Sequence, residues 1–360
     1  MTDSLRVGIA GAGSIALGTA ALLADRQHDP MLWSPSGAGT EDLEAGVTAE
    51  GALELKFTPR IAASAEALVA QNDVLLIALP AYGHKAVMDA VAPHIRSGQH
   101  VIVSSHASMG ALYLMRLLDR RGVAAHITAW GTTVVTGRRQ QGPVVRVNTV
   151  RSRVDLCTVP DTRSDCALAV CQRLFGDRFQ PRAGLLAISL SNLNPQNHLG
   201  IALGNITRME RGEVWSQGQN VTPKVGRLLE KLDLERLAIA ETLGLSVKTI
   251  FEHFHLSFHV PVASISQMNQ QMHAQGNGGT GPATADSRYV TEDVPYGLQL
   301  TAVLGRLVDR PAILHEAGIA LFSAMYDRDF AAENDLLSVL ELERYNLGDL
   351  QQAARTGLLC

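Results

Sequence analysis

Three groups of residues have the types and spacing to do chemistry. Gly11-Ala12-Gly13-Ser14-Ile15-Ala16 fits the pattern G-x-G-x-x-A. Gly11 permits a tight turn, Gly13 lets a pyrophosphate approach the backbone, and Ala16 allows close helix–strand packing. The unpaired N–H groups of the helix start, with their partial positive charge, attract a diphosphate. Such a run is also a plain Gly-rich turn; a strand before it and a helix after it favour dinucleotide binding. Further along, Ser191, Asn194, His198 and Asn205 recur at helical spacing in the otherwise apolar run from Leu185 to Met209. They share one stripe. Polar groups buried without partners are costly, so the stripe suits a polar site. Within it, His198 is the side chain able to trade protons near neutral pH. A lone histidine is more often a core residue held by amides; the stripe and the domain before it favour an acid/base. The third group is Ser287-Arg288-Tyr289-Val290-Thr291-Glu292-Asp293. Arg288 can fork onto a carboxylate, and Asp293 can orient an imidazole. Spacing alone also allows an ordinary Arg–Asp ion pair.

These residues need scaffolds of two kinds. Apolar runs at Leu5–Ala10, Met31–Trp33, Asp73–Leu79, His100–Ser104 and His126–Trp130 alternate with helical stretches such as Ile15–Leu23 and Met109–Arg121. That rhythm predicts a doubly wound, mostly parallel Rossmann-type α/β domain. Val144–Val150 and Val154–Val159 read as a pair of strands closing the sheet, followed by a helix at Asp165–Phe175. Beyond Ala183 the chain reads as all-α: Leu185–Arg211 (bent or started by Pro195), Thr222–Leu243, Val247–Phe258 and Leu298–Arg306. The expected domains are therefore 1–183 for the dinucleotide and 184–360 for substrate and catalysis. The Gly-rich stretch Ala274–Asp286 is a loop in the helical half, either a closing lid or a surface excursion.

The second strand ends in Trp33-Ser34-Pro35-Ser36, with no carboxylate before Glu41. NAD sites place an acid here for the ribose hydroxyls. Without it, a 2′-phosphate can sit beside the hydroxyls of Ser34 and Ser36, so NADP(H) is preferred over NAD(H), although no Arg lies in this loop. The alternative is a simple turn with loose specificity. Leu79 and Pro80 close the strand before them and are expected to line the cofactor groove at the carboxyl edge, with Ser105-His106 a further strand end there. Arg138-Arg139 reads as a solvated turn.

The composition excludes several classes. Hydrophobic residues make up 46% and charged residues 18%, so a disordered chain is excluded. Lys and Arg number 31 against 35 Asp and Glu, a net charge of −4 that points to neither nucleic acid nor an anionic membrane. No apolar stretch reaches the ~18 residues of a membrane span. The opening Met1–Arg6 runs straight into a strand-like segment, so no signal peptide is expected. Cys157, Cys166, Cys171 and Cys360 have the spacing of neither a disulfide framework nor a zinc site, and a cytoplasmic protein is expected. His253, His255 and His259 invite a metal reading, but only His255 and His259 share a helix face and no third ligand follows, so no metal is expected. The apolar helices allow a homodimer.

The chain resembles the octopine/nopaline dehydrogenase family over nearly its full length. The resemblance rests on Gly-x-Gly-x-x-Ala at the start, Asn194-x-x-x-His198, Thr222-Pro223-x-Val225-x-x-Leu228 running into Asp233-x-Glu235-Arg236, and Arg288-Tyr289-x-x-Glu292-Asp293-x-x-x-Gly297-Leu298, in the family's order and spacing. It implies that an amino acid condenses with a 2-oxo acid and that a nicotinamide delivers hydride to the imine, giving a secondary amine dicarboxylate. His198 is then the acid/base, Asp293 its orienting partner, and Arg288 the holder of a substrate carboxylate or a support for the pair. Asn194 and Asn205 match family asparagines near the substrate. Two departures are Leu199, where members often have Pro, and the missing acid after the second strand.

The chemistry is coherent in its own right. Imine formation needs one group that both donates and accepts protons, two carboxylates need cationic anchors, and a closing cleft protects the imine from water. Two alternatives stay open: a ketopantoate-reductase-like or 2-hydroxyacid dehydrogenase reducing a ketone, and a non-catalytic dinucleotide sensor. A ketone reductase of this plan often uses a Lys acid, which the stripe lacks.

Overall fold

The computed structural model describes residues 4–358. Twelve strands lie in the first half: β1 (Arg6–Ala10), β2 (Asp29–Trp33), β3 (Val47–Gly51), β4 (Leu55–Phe57), β5 (Arg60–Ile61), β6 (Val74–Ile77), β7 (His100–Val103), β8 (His126–Trp130), β9 (Val135–Arg139), β10 (Val144–Val150), β11 (Val154–Val159) and β12 (Phe179–Pro181). Eight form one sheet in the order β12-β11-β8-β7-β6-β1-β2-β5. All its pairings are parallel except that of β11 with β8. β6 and β7 are buried at every position, as strands covered by helices on both faces must be.

The remaining four strands build a second sheet, β4-β3-β10-β9, which the alternating rhythm did not announce. The expected strand pair closing the main sheet is thereby corrected: β11 joins that sheet, whereas β10 pairs with β3 and β9. The physical difference is visible in burial. β11 is buried at nearly every position, while β10 buries Val145 and Val147 and exposes Arg146, Asn148 and Thr149. Helix α1 (Ser14–Asp25) lies under this second sheet, and Leu17 and Ala21 share one core with Val135, Val145 and Val147. Covered from both sides, α1 can be apolar all round; every residue from Ala16 to Leu23 is buried.

The other helices of this half are α2 (Ala65–Ala70), α3 (His84–Val91), α4 (Gly110–Asp119), α5 (Ser164–Phe175) and α6 (Leu185–Ser191). The rest is helical: α7 (Asn194–Glu210), α8 (Gln217–Asn220), α9 (Pro223–Thr242), α10 (Ile250–Phe258), α11 (Ile265–Ala274), α12 (Arg288–Thr291), α13 (Gln299–Leu307), α14 (Ile313–Tyr326), α15 (Asp335–Leu340) and α16 (Leu347–Thr356). The single helix expected over Leu185–Arg211 is broken between α6 and α7, and Pro195 stands in the first turn of α7, where a missing N–H costs nothing.

The chain divides into two compact units, one running to Ser189 and resumed from Gly348, the other spanning Leu190–Leu347. The division lies beyond residue 183, and the C-terminal segment returns to the first unit instead of ending the helical one. There Arg355 pairs with Asp161 at 2.9 Å, and Gly357 lies against Met115 and Val159. The helical unit is organised around a buried ion pair. Asp233 and Arg236 on α9 are each 2% exposed, 2.7 Å apart. Asp233 also accepts from Gln196 of α7 and from the backbone N–H of Ile250, and Arg236 donates to the carbonyls of Leu190 and Lys248. One pair thus fixes α7 against α9 and α10.

Asp233→Ala leaves a guanidinium buried without its carboxylate, and we expect the helical unit to lose about 3–5 kcal/mol, read by denaturant unfolding. A second expectation concerns acid. Burial lowers the pKa of His84 to about 4 and those of His100 and His106 to about 3. These rings stay neutral when folded and take up protons once unfolded below their ordinary value near 6.5. Their stabilisation is therefore complete above that value and is lost as pH falls toward 4, by up to ~1.4 kcal/mol per pH unit for each ring. Thermal unfolding followed from pH 7 to pH 4.5 should show a steep fall in Tm, with a smaller slope in His100→Asn; a flat profile would contradict this.

Candidate active site

His198 is on the second turn of α7, and Asp293 follows α12 at the start of a π-helical turn, Val294–Leu298. His198 Nδ1 donates to Asp293 Oδ2 across 2.6 Å, with side-chain exposures of 13% and 9%. The bond fixes the tautomer and leaves Nε2 as the nitrogen that exchanges protons. The ring is neither lost in hydrocarbon nor free in water. Two local features bring the partners together. Gly297 packs against Pro195 so closely that any Cβ there would collide with the proline ring. Its missing side chain lets the π turn sit on the first turn of α7, one turn before the imidazole. π turns of this kind recur at functional sites.

Tyr289 stacks on the imidazole, ring centroids 3.5 Å apart and 10° from parallel. Its hydroxyl donates to Gln217 Oε1 at 2.5 Å. Burial, and after it the charge of Asp293, pushes the phenol up to about 12, so it stays neutral against the pair. The ring therefore holds the imidazole plane without competing for its proton. Neither Tyr289 nor Gln217 stood out in the sequence. Tyr289 is part of a quoted motif, but nothing local says that its face meets a ring 91 positions earlier.

Arg288 is more than half exposed and pairs with Glu292 at 3.3 Å, one helical turn on. It shares a short segment with Asp293, yet its ion pair is with Glu292. Asn194 is exposed one turn before His198 on the same face of α7. Asn205 is buried at a kink in α7, and its amide donates to the Ile201 carbonyl of its own helix at 3.0 Å. The stripe therefore changes character along its length, from Asn194 and His198 at the polar end to a helix-bending amide at Asn205. The Gly-rich loop is pinned: Gln217 and Gly218 donate to the carbonyls of Gly279 and Gly278, and the Trp215 indole donates to the Pro282 carbonyl. His255 bonds the Val260 carbonyl, and His259 ends α10 with a left-handed backbone. Among the described residues, no three His, Cys, Asp or Glu side chains are grouped to hold a metal.

In the first unit, Gly11 takes a positive φ of 136°, and a Cβ there would run into the Ala78 carbonyl; only glycine makes this turn. Around Gly13 the opposite holds: an added Cβ would meet no atom within 4 Å, and α1 begins without a side-chain cap. Ala12, Gly13, Ser14 and Ile15 thus present an open, uncapped helix start, a cradle that fits a dinucleotide's diphosphate. Ala16 is fully buried, as close packing requires. Leu79 is half-buried and Pro80 exposed at the carboxyl end of β6, while Ser34 and Ser36 follow β2 with their hydroxyls 3.3 Å apart. His106 proves structural: it is 2% exposed, and its Nε2 accepts from the Ala111 N–H in the first turn of α4. The solvated turn expected at Arg138-Arg139 is corrected. Both residues end strand β9, and Arg139 is half-buried because it bonds into the glycine loop, donating to the Ala12 and Gly39 carbonyls.

Both halves of the chain are similar to known proteins. Residues 181–326 match the family model described as NAD/NADP octopine/nopaline dehydrogenase, alpha-helical domain, and residues 7–148 match that of ketopantoate reductase PanE/ApbA. An opine dehydrogenase of Arthrobacter sp. (strain 1C) is 29% identical over 364 residues, covering 98% of this chain and 99% of that protein. Among solved structures, an octopine dehydrogenase with NADH and L-arginine superposes with a TM-score of 0.80 at 17% identity, over 99% of this chain and 98% of that one. A yersinopine dehydrogenase with NADP+ bound gives 0.71 at 17% identity, over 99% of each chain. Among the described residues, no helix is long and apolar enough to cross a membrane. The part of the chain that matches the octopine/nopaline dehydrogenase helical domain is thus the part that holds the His198–Asp293 pair.

Proposed function

We propose that this protein is an opine dehydrogenase: it joins an amino acid to a 2-oxo acid and reduces the resulting imine to a secondary amine dicarboxylate. The observation that carries this reading is the His198–Asp293 bond, a general acid/base with its orienting carboxylate in a domain of the opine dehydrogenase type. The balance is amino acid, 2-oxo acid, reduced nicotinamide and a proton giving opine, oxidised nicotinamide and water. The nicotinamide, when bound, supplies the hydride to the imine carbon.

The chain's own residues handle the protons and the carboxylates. Nε2 of His198 takes a proton from the amino acid's ammonium, which frees the nitrogen lone pair to attack the oxo carbon. The imidazolium then returns a proton to the carbinolamine oxygen, which leaves as water. Asp293 offsets the positive charge in between, as a buried carboxylate does for a catalytic histidine. Arg288 has an exposed guanidinium near the pair and serves as the anchor for one substrate carboxylate, exchanging Glu292 for it. Asn194, exposed one turn before His198, is a second polar contact for substrate. Asn205 acts at one remove, through the bend it gives α7.

Gly11, Ala12, Gly13, Ser14 and Ile15 would hold the diphosphate, with Leu79 and Pro80 beside it and Ser34 and Ser36 toward the adenosine ribose. The lack of an acid from Ser34 to Thr40 supports NADP(H) over NAD(H). A cytoplasmic homodimer belongs to the same reading; buried free thiols at Cys157 and Cys171 suit a reducing compartment. Ketone reduction is the second reading, supported by the ketopantoate reductase match of residues 7–148.

Reductant consumption across a matrix of amino acids and 2-oxo acids separates the two: turnover should require both partners, and equal rates with an oxo acid alone would favour ketone reduction. In the productive pair, His198→Ala should lower kcat/KM by about two to four powers of ten with Tm preserved, and Asp293→Asn by about a hundredfold or more. A His198→Ala enzyme of near-normal activity would remove the imidazole from the mechanism.

A further inference from the structure

The loop after β2 carries no basic residue between Ser34 and Glu41, so on sequence alone a 2′-phosphate finds only hydroxyls there. The fold supplies a cation from elsewhere. Arg139 closes β9 in the second sheet, about a hundred positions away in the chain, and its backbone N–H donates to Ser14 Oγ at 2.9 Å. Its Nη1 donates to the Ala12 carbonyl at 3.2 Å and to the Gly39 carbonyl at 2.7 Å. The guanidinium therefore bridges the middle of the glycine loop and the segment after β2. These two pieces of backbone flank the adenosine ribose in dinucleotide folds. Among the described residues, no carboxylate forms an ion pair with Arg139, and Nε and Nη2 make no protein hydrogen bond. Glu41 directs Oε2 onto the Gly39 N–H at 2.7 Å; backbone hydrogen bonds and, after them, the charge of Arg139 lower its pKa, so the two charges feel each other without forming an ion pair. The hydroxyls of Ser34 and Ser36 stand in the same loop.

We propose that Arg139 receives the 2′-phosphate of NADP(H), with Ser34 and Ser36 as accessory donors. A phosphate monoester dianion takes two N–H groups of a guanidinium side by side, which is stronger than a contact to a neutral hydroxyl. The second sheet then has a task beyond covering α1: it carries a cation to a loop that lacks one. The proposal rests on the dinucleotide reading of the first unit and adds to it the residue that chooses between the two cofactors.

The test uses the full-length protein and half-nucleotides, so that it reads binding at the adenosine end and not turnover. Calorimetric titration compares adenosine 2′,5′-bisphosphate with AMP. The wild type should bind the bisphosphate more tightly, and Arg139→Ala should weaken it by about tenfold or more while changing AMP by less than about threefold. Arg139→Gln, which keeps an N–H donor for the two carbonyls without the charge, should show the same selective loss. If both ligands weaken equally in both variants, Arg139 is a structural tie and the proposal is wrong. It is equally wrong if the wild type fails to prefer the bisphosphate. If the wild type binds neither half-nucleotide, and neither NADPH nor NADH, the dinucleotide reading itself falls.

Discussion

One hydrogen bond, from an imidazole on α7 to a carboxylate 95 residues later, sets what the helical unit must accomplish. A bond of 2.6 Å tolerates little error in the placement of either partner, so the surrounding structure is built to fix both. On one side, Asp233 holds α7 through Gln196, and Arg236 holds the end of α6 just before it through the Leu190 carbonyl. On the other, the contact of Gly297 with Pro195 seats the π turn that begins beside Asp293. Tyr289 then closes one face of the ring. The motifs Asp233-x-Glu235-Arg236 and Gly297-Leu298 thus matter through position: they hold the pair to which the proposed mechanism gives the proton chemistry.

What could be read from the chain follows from the range of each interaction. The Gly11–Ala16 turn and the helical stripe of Asn194 and His198 are local patterns, written in consecutive residues, and the structure places them on a strand–helix turn and a polar helix end. The His198–Asp293 pairing was within reach because each residue sat in a motif of its own. Asn205 shows the limit of periodicity: it shares the stripe's spacing, but a kink turns its amide onto its own helix. Arg139 and Gln217 could not be found by spacing. Arg139 depends on β9 pairing with β10, and Gln217 acts through a contact to Tyr289, 72 positions away. The second sheet was missed for the same reason, since its strands come from two separated stretches, and short exposed segments such as Leu55–Phe57 carry little hydrophobic pattern.

The two units divide the chemistry by type. The first offers a backbone cradle whose specificity is electrostatic, since an uncapped helix start attracts a diphosphate whatever sugar it bears. The second holds an imidazole bonded to a carboxylate and, on the proposed reading, handles protons and substrate carboxylates. The first half matches the ketopantoate reductase model, so on the proposed reading the helical half is what separates imine from ketone reduction. There the stripe supplies an imidazole, which can accept a proton from an ammonium and return it to a departing hydroxyl, where a lysine would act mainly as an acid.

The account is tested most directly by following the hydride. With reductant deuterated at the transferred position, an 15N-labelled amino acid and an unlabelled 2-oxo acid, mass spectrometry of the product is decisive. Imine reduction predicts one species containing both the 15N and the deuterium, with the mass of the two substrates less water plus the added hydride and proton. Deuterium found instead in a 2-hydroxy acid that lacks nitrogen would contradict the assignment.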